Sequence, residues 1–238
     1  MQVGFLCLNA SIPYMTKDKK IDFSQIDKKI LSLKPQLIKR IREAIEKEGK
    51  LNNYLIVWDQ LQKIASLVIV KILKEAFPEA EFTISKSKST YPDVKMELEG
   101  FKVAIDVKSN ESSKEPWYDI ARLDTIIESR INKFNEEYDL VIKYDSETNK
   151  LLKIFFETMR ETVGIREECR GVKYRPYDGK VRPKSWADFD NGVVYWKTKD
   201  AFLKGIEISK KYRMKELIKE HWKNLTEEER QEYRDSFA

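Results

Sequence analysis

The sequence is poor in the residues on which many enzyme families depend. Among its 238 residues there are one histidine and two cysteines. A Ser-His-Asp triad, a Cys-His pair or a histidine-ligated metal would need that one histidine, His221, which stands among lysines and glutamates as surface histidines do. Two cysteines, Cys7 and Cys169, are too few for a disulfide framework or a zinc cluster. If the protein is an enzyme, its chemistry must therefore use carboxylates, lysine, tyrosine or a hard metal ion.

Glycine, proline and long apolar runs are also scarce. The chain has 8 glycines and 7 prolines, and 41 % of its residues are hydrophobic, which excludes a collagen-like or a disordered chain. No apolar run approaches the roughly 20 residues that cross a bilayer, and the first residues lack the basic leader of a signal peptide. We therefore expect an intracellular protein that does not enter a membrane.

The apolar pattern predicts one domain over residues 1–238, because no repeat or Gly/Ser-rich linker divides the chain. We expect helices in residues 1–78, a hairpin and the sheet core in 79–160, and a basic loop with C-terminal helices in 161–238. The predicted helices are Phe23–Glu48 (broken near Pro35), Tyr54–Phe77, Tyr118–Tyr138, Lys199–Tyr212, Met214–Trp222 and one that starts after Thr226. The predicted strands are Glu81–Ile84, Val94–Glu99, Phe101–Lys108, Asp139–Tyr144, Leu151–Phe156 and Val193–Trp196. This order predicts an α/β or α+β domain with a mixed β-sheet.

The clearest hairpin pattern in the chain carries two acids and a lysine. Val94–Glu99 and Phe101–Lys108 alternate between apolar and polar residues on either side of a glycine. Because side chains alternate along a strand, Asp106 and Lys108 share one face of the second strand. Asp93 begins the first strand, so a hairpin would bring Asp93 and Asp106 together.

Two carboxylates that converge repel each other unless one is protonated or a cation lies between them. Mg²⁺ suits such a pair, since it prefers oxygen ligands, and it can activate a bound water and neutralise a phosphate. A nearby lysine could position that water or stabilise the developing negative charge. The alternative is an ordinary cross-strand ion pair at a solvent-facing edge, and the same Asp-x-Lys spacing at Asp18, Asp27 and Asp178 is more easily interpreted as surface charge.

The two strands also resemble a known signature. Tyr91–Asp93 followed by Val103–Lys108 resembles the motif of the PD-(D/E)xK nuclease superfamily and, within it, the type II restriction endonucleases of the EcoRV group. Trp186–Gly192 and Asp200–Leu203 are similar to the C-terminal part of those enzymes. The resemblance implies a restriction-endonuclease-like core, with a mixed sheet flanked by helices. It further implies a homodimeric prokaryotic cytoplasmic enzyme that hydrolyses double-stranded DNA at a palindromic site with Mg²⁺.

The resemblance also implies roles for individual residues. Asp93 and Asp106 would hold the metal, the Val107 carbonyl would assist, and Lys108 would act on the attacking water. Enzymes of this kind often place another acid on the helix before the hairpin. That helix offers Asp59 near its start and Glu75 near its end. Asp59 is the better match, although its distance from the motif along the chain is longer than in those enzymes. The alternative for Asp59 is stabilisation of the helix N-terminus by its negative charge.

Two segments are candidates for DNA contacts. Lys86, Ser87 and Lys88 lie beside the predicted metal site and suit phosphate oxygens. Residues 164–184 form a long irregular stretch with seven basic against three acidic residues, and arginines in such a loop can read guanine in the major groove. Its candidate contacts are Arg166, Arg170, Lys173, Arg175, Lys180, Arg182 and Lys184. The alternative is a solvated surface loop.

Three functions therefore remain open from the sequence. The first is a type II restriction endonuclease, and the second is a repair or junction-resolving nuclease with the same catalytic strand. The third is a non-catalytic DNA-binding domain in which Asp93 and Asp106 are structural.

Overall fold

The computed structural model describes residues 23–52, 58–86, 90–148 and 150–235, with the backbone alone at 49–52, 58–59 and 233–235. Its helices are α1 (Phe23–Ser32), α2 (Lys34–Asn52), α3 (Trp58–Ala76), α4 (Met159–Thr162), α5 (Trp186–Asp190), α6 (Lys199–Asn224) and α7 (Glu227–Asp235). Its strands are β1 (Glu81–Ile84), β2 (Val94–Leu98), β3 (Phe101–Glu111), β4 (Glu136–Asp145), β5 (Lys150–Thr158), β6 (Ile165–Arg166) and β7 (Gly171–Val172). None of the helices in these ranges is long and apolar enough to cross a membrane.

The main sheet has five strands in the order β1-β2-β3-β4-β5. β3 and β4 are parallel, and the other neighbouring pairs are antiparallel. The sheet is therefore mixed, with helices against it, and the predicted fold class is confirmed. The predicted hairpin is also confirmed, because β2 and β3 pair in register from Val94 opposite Ile105 to Leu98 opposite Phe101.

The two faces of the sheet bury separate apolar clusters. One face packs against α1, α2 and α3, where the apolar stripes of the helices meet the inward side chains of β2 to β5. The other face is covered by the segment before β4 and by the chain after β5, including α5 and the first half of α6. Polar side chains of β3 and β4 lie on this second face, so the site described below is built there.

The prediction of a helix over Tyr118–Tyr138 is wrong. Its first part is extended and pairs with the later chain: the Ile120 amide donates to the Val181 carbonyl at 3.1 Å and the Leu123 amide donates to the Gly179 carbonyl at 2.8 Å. Only one turn of π-helix, Ile127–Ile131, follows. Four of the apolar residues that gave the helical period, Ile120, Leu123, Ile126 and Ile131, are buried in the second cluster all the same, so burial satisfies them without a helix.

Two further expectations are corrected in the C-terminal part. The stretch 164–184 is ordered by β6, β7 and bridges such as Tyr174 opposite Val181, so it is not an irregular loop. Val193–Trp196 forms no strand, and the two helices expected in 199–222 are the single helix α6. The helix expected after Thr226 is confirmed as α7, because the amide and hydroxyl of Thr226 form a capping box with Glu229.

Candidate active site

The hairpin brings Asp93 and Asp106 together at the floor of the site. Val94 lies opposite Ile105, so the residues just outside this pair, Asp93 and Asp106, face each other across the two strands. The Val107 amide donates a hydrogen bond of 2.7 Å to Asp93 Oδ2, which fixes that carboxylate against β3. Both aspartates are only 5 % exposed. Their convergence follows from the strand register that the alternating sequence predicts.

A residue from α3 completes the environment of Asp93. Gln62 Nε2 donates a hydrogen bond to Asp93 Oδ1, so the two oxygens of this carboxylate have different partners. Gln62 could not be predicted from the sequence, because the residue expected on that helix was an acid. The side chain of Asp59, the acid expected there, lies outside the described residues.

Lys108 forms the third part of the site. Its Nζ lies 2.9 Å from Asp106 Oδ2, and its side chain is 23 % exposed, so the ammonium can be reached from solvent. Burial disfavours a charged lysine, but the carboxylate of Asp106 outweighs it and raises the pKa of Lys108 above its usual value. The lysine is therefore a cation at neutral pH, suited to stabilising negative charge.

A row of acids crosses the sheet at the same level. Asp139 on β4 lies opposite Asp106, and Glu157 on β5 lies opposite Asp139. Thr162 donates a hydrogen bond of 2.7 Å to Asp139 Oδ2, and Lys184 pairs with Glu157 at 2.7 Å. Acidic side chains from β3, β4 and β5 are thus neighbours on one face, where each is next to a donor or a cation.

Arg130 is the buried cation at the centre of this row. Its Nη2 lies 3.8 Å from Asp106 Oδ2 and 3.9 Å from Asp139 Oδ1, and its Nε lies 2.9 Å from Glu137 Oε2. The guanidinium carbon is 3.8 Å from the centre of the Tyr91 ring, and Tyr91 itself donates to Glu137. Arg130 therefore links the motif residues to the neighbouring strand, a role that no local sequence pattern indicated.

The charges in this row set the pKa values of the acids in opposite directions. Burial, together with the neighbouring Asp106, raises the pKa of Asp93 to about 7. Burial also opposes ionisation of Asp106, but Lys108 and Arg130 outweigh it and hold the pKa of Asp106 below its usual value. For Asp139, burial raises the pKa to about 6. Asp106 is the ionised member at neutral pH, and Asp93 is the member whose charge is not yet compensated.

This difference predicts a pH-dependent gain in stability for Asp93→Asn. The folded pKa of Asp93, about 7, lies above the usual aspartate value of 3.8, so wild-type stability falls as pH rises through that interval. Asparagine keeps an acceptor for the Val107 amide and carries no charge. In the presence of a chelator at pH 8, the free energy of unfolding of Asp93→Asn, measured in urea, should exceed that of the wild type by about 1–3 kcal/mol. At pH 5 most of this difference should be gone.

Asp145 provides the opposite case. Hydrogen bonds from Thr148 lower the pKa of Asp145, so Asp145→Asn should lose stability at pH 8. If Asp93→Asn were as stable as the wild type at both pH values, the claim that the ionised carboxylate of Asp93 destabilises the folded protein would be contradicted.

The donor set can be tested against a hard divalent cation. Asp93 and Asp106 supply converging carboxylate oxygens, and Mg²⁺ is commonly held by one or two carboxylates, with waters and substrate phosphates completing its shell. Within the described ranges no group of three or more acidic, histidine or cysteine side chains is arranged to hold a metal. The pair therefore fits a cation that keeps most of its waters, and does not fit a closed structural metal site.

The predicted DNA-contacting residues have different surroundings. Lys86 is exposed beside β1, whereas Ser87 and Lys88 lie outside the described residues. Arg170 is exposed, Lys173 is half-buried, and neither forms an ion pair with another described residue. The other five cations are held by acids: Arg166 by Glu216 at 2.9 Å, Arg175 by Asp178, Lys180 by Asp119, Arg182 by Asp119 at 2.8 Å and Lys184 by Glu157 at 2.7 Å.

Two of these cations are buried. Lys184 is 1 % exposed, and its Nζ also donates to the Val193 carbonyl at 2.8 Å, so it ties the chain after β7 to β5. Arg182 is 5 % exposed and lies against the Trp117 ring. Lys184 is thus buried with its ammonium paired, and Arg182 is buried with its Nη1 paired to Asp119, so neither side chain is exposed to solvent.

Comparisons with known proteins add a similarity of fold. No family model matches the chain, and neither does any curated protein. Among solved structures, the chain is similar to the NlaIV restriction endonuclease, with a TM-score of 0.39 and 17 % sequence identity, over 69 % of this chain and 76 % of that one. A likeness of this extent lies in the fold alone and says nothing about what this chain binds or cleaves.

Proposed function

We propose that the protein is a Mg²⁺-dependent nuclease that hydrolyses phosphodiester bonds in DNA. The observation that carries the proposal is the meeting of Asp93 and Asp106 on adjacent strands, with Lys108 Nζ 2.9 Å from Asp106, beside an open groove. Two carboxylates and an ammonium in this arrangement suit hydrolysis of a phosphodiester, because they can hold a divalent cation next to a stabiliser of negative charge.

Each residue of the site has a proposed role. Asp93 and Asp106 would hold the cation, with the Val107 carbonyl and Asp59 as further candidate ligands. Bound Mg²⁺ would supply a more acidic water and neutralise charge on the phosphate. Lys108, as an ammonium held by Asp106, would orient the attacking water and stabilise charge on the phosphate oxygens. The Val107 amide and Gln62 would keep Asp93 directed at the same point.

The role of Lys108 predicts a large loss of rate for Lys108→Met. Methionine removes the ammonium and keeps most of the length of the side chain, so single-turnover cleavage should slow by about a hundredfold or more. Lys95→Met on β2 is the matched control, because Lys95 lies in the same hairpin and pairs with Glu97 at 2.6 Å, outside the row of acids. That variant should cut at the wild-type rate, and wild-type turnover by Lys108→Met would remove the lysine from the mechanism.

The finer proposal is a type II restriction endonuclease that acts as a homodimer on a palindromic site. It is supported by the resemblance of Tyr91–Asp93 and Val103–Lys108 to that group. In a two-fold symmetric dimer each site would cut one strand. Incubation with phage DNA and Mg²⁺ should give discrete fragments, and sequencing of their ends gives the site and the stagger of the cut. Sedimentation of the protein on a cognate duplex gives the number of subunits.

A structure-specific nuclease is the second candidate. It is favoured by an exposed tryptophan, Trp117, in the wall of the same groove as Lys108. Such an enzyme would leave intact phage DNA uncut and would cut branched or gapped DNA in Mg²⁺. If neither substrate is cut, while both are retained in a mobility-shift assay, the protein is a binding domain and the nuclease proposal fails.

A further inference from the structure

Trp117 is a large apolar side chain left open beside the candidate active site. It is 65 % exposed, and its backbone amide donates a hydrogen bond of 2.7 Å to Asn110 Oδ1. Asn110 lies on β3, two residues beyond Lys108. Gln62, Lys108 and Trp117 line one groove of about 420 Å³, so the tryptophan and the catalytic strand face the same space.

The guanidinium of Arg182 packs against the ring of Trp117. Its guanidinium carbon lies 4.0 Å from the Trp117 ring centre, and its Nη1 lies 2.8 Å from Asp119 Oδ1. Its buried Nε and Nη2 have no hydrogen-bond partner among the described residues. A cation held this way over an aromatic ring keeps the ring in place. Trp117 is therefore a fixed surface, although most of it is open to solvent.

A second exposed ring continues this surface. Tyr177 is 74 % exposed, and the Arg175 guanidinium carbon lies 4.6 Å from its ring centre and 5.4 Å from that of Trp117. We call Trp117, Tyr177 and Arg175 the aromatic platform. Three cations, Arg175, Lys180 and Arg182, share two acids, Asp119 and Asp178, so this group of ion pairs beside the platform has one positive charge in excess.

The platform suits a nucleic-acid base better than an apolar peptide. Every base has a π-face that can stack on an aromatic ring, and the flanking cations favour the phosphates on either side. Glu111 in the groove wall is paired with Lys114 at 3.7 Å and with Ser146, whereas the exposed Glu115 adds a negative charge to the wall. A groove of this volume can hold one nucleotide.

We propose that the groove binds an unpaired nucleotide next to the phosphate that is cut, with its base stacked on Trp117. The proposal depends on the proposed nuclease site and narrows its substrate to DNA that has a single-stranded segment at the cleavage point, which favours the structure-specific nuclease over the restriction endonuclease. Bases inside a duplex are already stacked on both faces, and turning one out costs several kilocalories per mole. An unpaired base reaches the ring at little cost.

The test compares two probes in the Asp106→Asn background with Mg²⁺ present, so that binding is measured without cleavage. One probe is a fluorescein-labelled duplex, and the other is the same duplex with a single-stranded gap at its centre. The gapped probe should bind more tightly and quench tryptophan fluorescence. Trp117→Ala should lose this preference, with about tenfold weaker binding of the gapped probe. Trp117→Phe, which keeps a ring, should retain most of it.

Trp222→Phe is the control for the fluorescence signal, because Trp222 is 37 % exposed on α6 and does not line the groove. Its quenching by the gapped probe should equal that of the parent. Equal affinity for the two probes, or an unchanged preference in Trp117→Ala, would overturn the proposal. Equal weakening of both probes would also overturn it, since Trp117 would then contact paired DNA. The nuclease proposal is judged separately, by cleavage with wild-type protein.

Discussion

Asp106→Asn should abolish DNA cleavage, lowering the single-turnover rate by about a thousandfold or more, while DNA binding persists. Asp106 is the acid whose pKa is held low by Lys108 and Arg130, so it carries a full negative charge at neutral pH. Asparagine has the same shape but lacks the charge that would hold a cation and fix Lys108. Cleavage of plasmid DNA in Mg²⁺ measures the rate, and a mobility shift measures binding.

Asp139→Asn is the matched comparison for this variant. Asp139 is an equally buried aspartate directly opposite Asp106 on β4, but its carboxylate accepts from Thr162 and is separated from Asp93 by β3. We expect its rate to fall by less than about tenfold, since a removed carboxylate outside the reacting centre costs little transition-state binding. If Asp106→Asn retained a tenth of wild-type activity, or if the two variants were equally impaired, the assignment of Asp106 on β3 as a catalytic residue would be wrong.

Arg130→Met should be the most destabilising of these substitutions. It leaves Asp106, Glu137 and Asp139 buried without their shared cation, and breaking a buried charge network typically costs about 3–5 kcal/mol. Without the arginine, the pKa values of Asp106 and Asp139 rise. The folded variant then binds extra protons, and its stability falls as pH increases. Urea denaturation at pH 5 and pH 8 should therefore show a larger loss at pH 8.

An arginine-to-methionine substitution on the surface distinguishes the effect of leaving buried acids without a cation from the effect of losing an ordinary ion pair. Arg40 pairs with Glu43 at 3.6 Å, and both side chains are about half exposed or more. Arg40→Met should change the free energy of unfolding by less than about 1 kcal/mol, with little dependence on pH. A loss in Arg130→Met no larger than this, or one independent of pH, would show that the buried acids do not need the guanidinium.

The hairpin and its acids could be predicted because the information is local. Alternation over Val94–Leu98 and Phe101–Lys108, with a glycine between, predicts both strands and their register, and the register places Asp93 opposite Asp106. The same reasoning predicts that Lys108 lies beside Asp106, since the two residues share a face. These relations span few residues, and few competing pairings exist for them.

The partners that complete the site could not be predicted, because they arrive from distant elements. Gln62 comes from a helix on the opposite side of the hairpin. Arg130 comes from a segment whose apolar period indicates a helix, and tertiary burial overrides that period. The number of cations in residues 164–184 overstated the positive charge of that surface for a related reason. The seven cations of residues 164–184 suggested a basic surface, but acids such as Asp119 and Glu216, outside that stretch, neutralise several of them.

The two-residue turn between β2 and β3 determines the geometry of the candidate active site from a distance. Glu99 and Gly100 both have positive φ, 47° and 82°, as the tightest hairpin turns require, and both are exposed, about 17 Å of strand away from Asp93. A residue inserted or deleted there would shift the pairing by one position and turn the side chains of one strand to the other face. The carboxylates would then separate, although neither had been replaced. Loop length at this turn is therefore as strict a requirement for the site as the identity of Asp106.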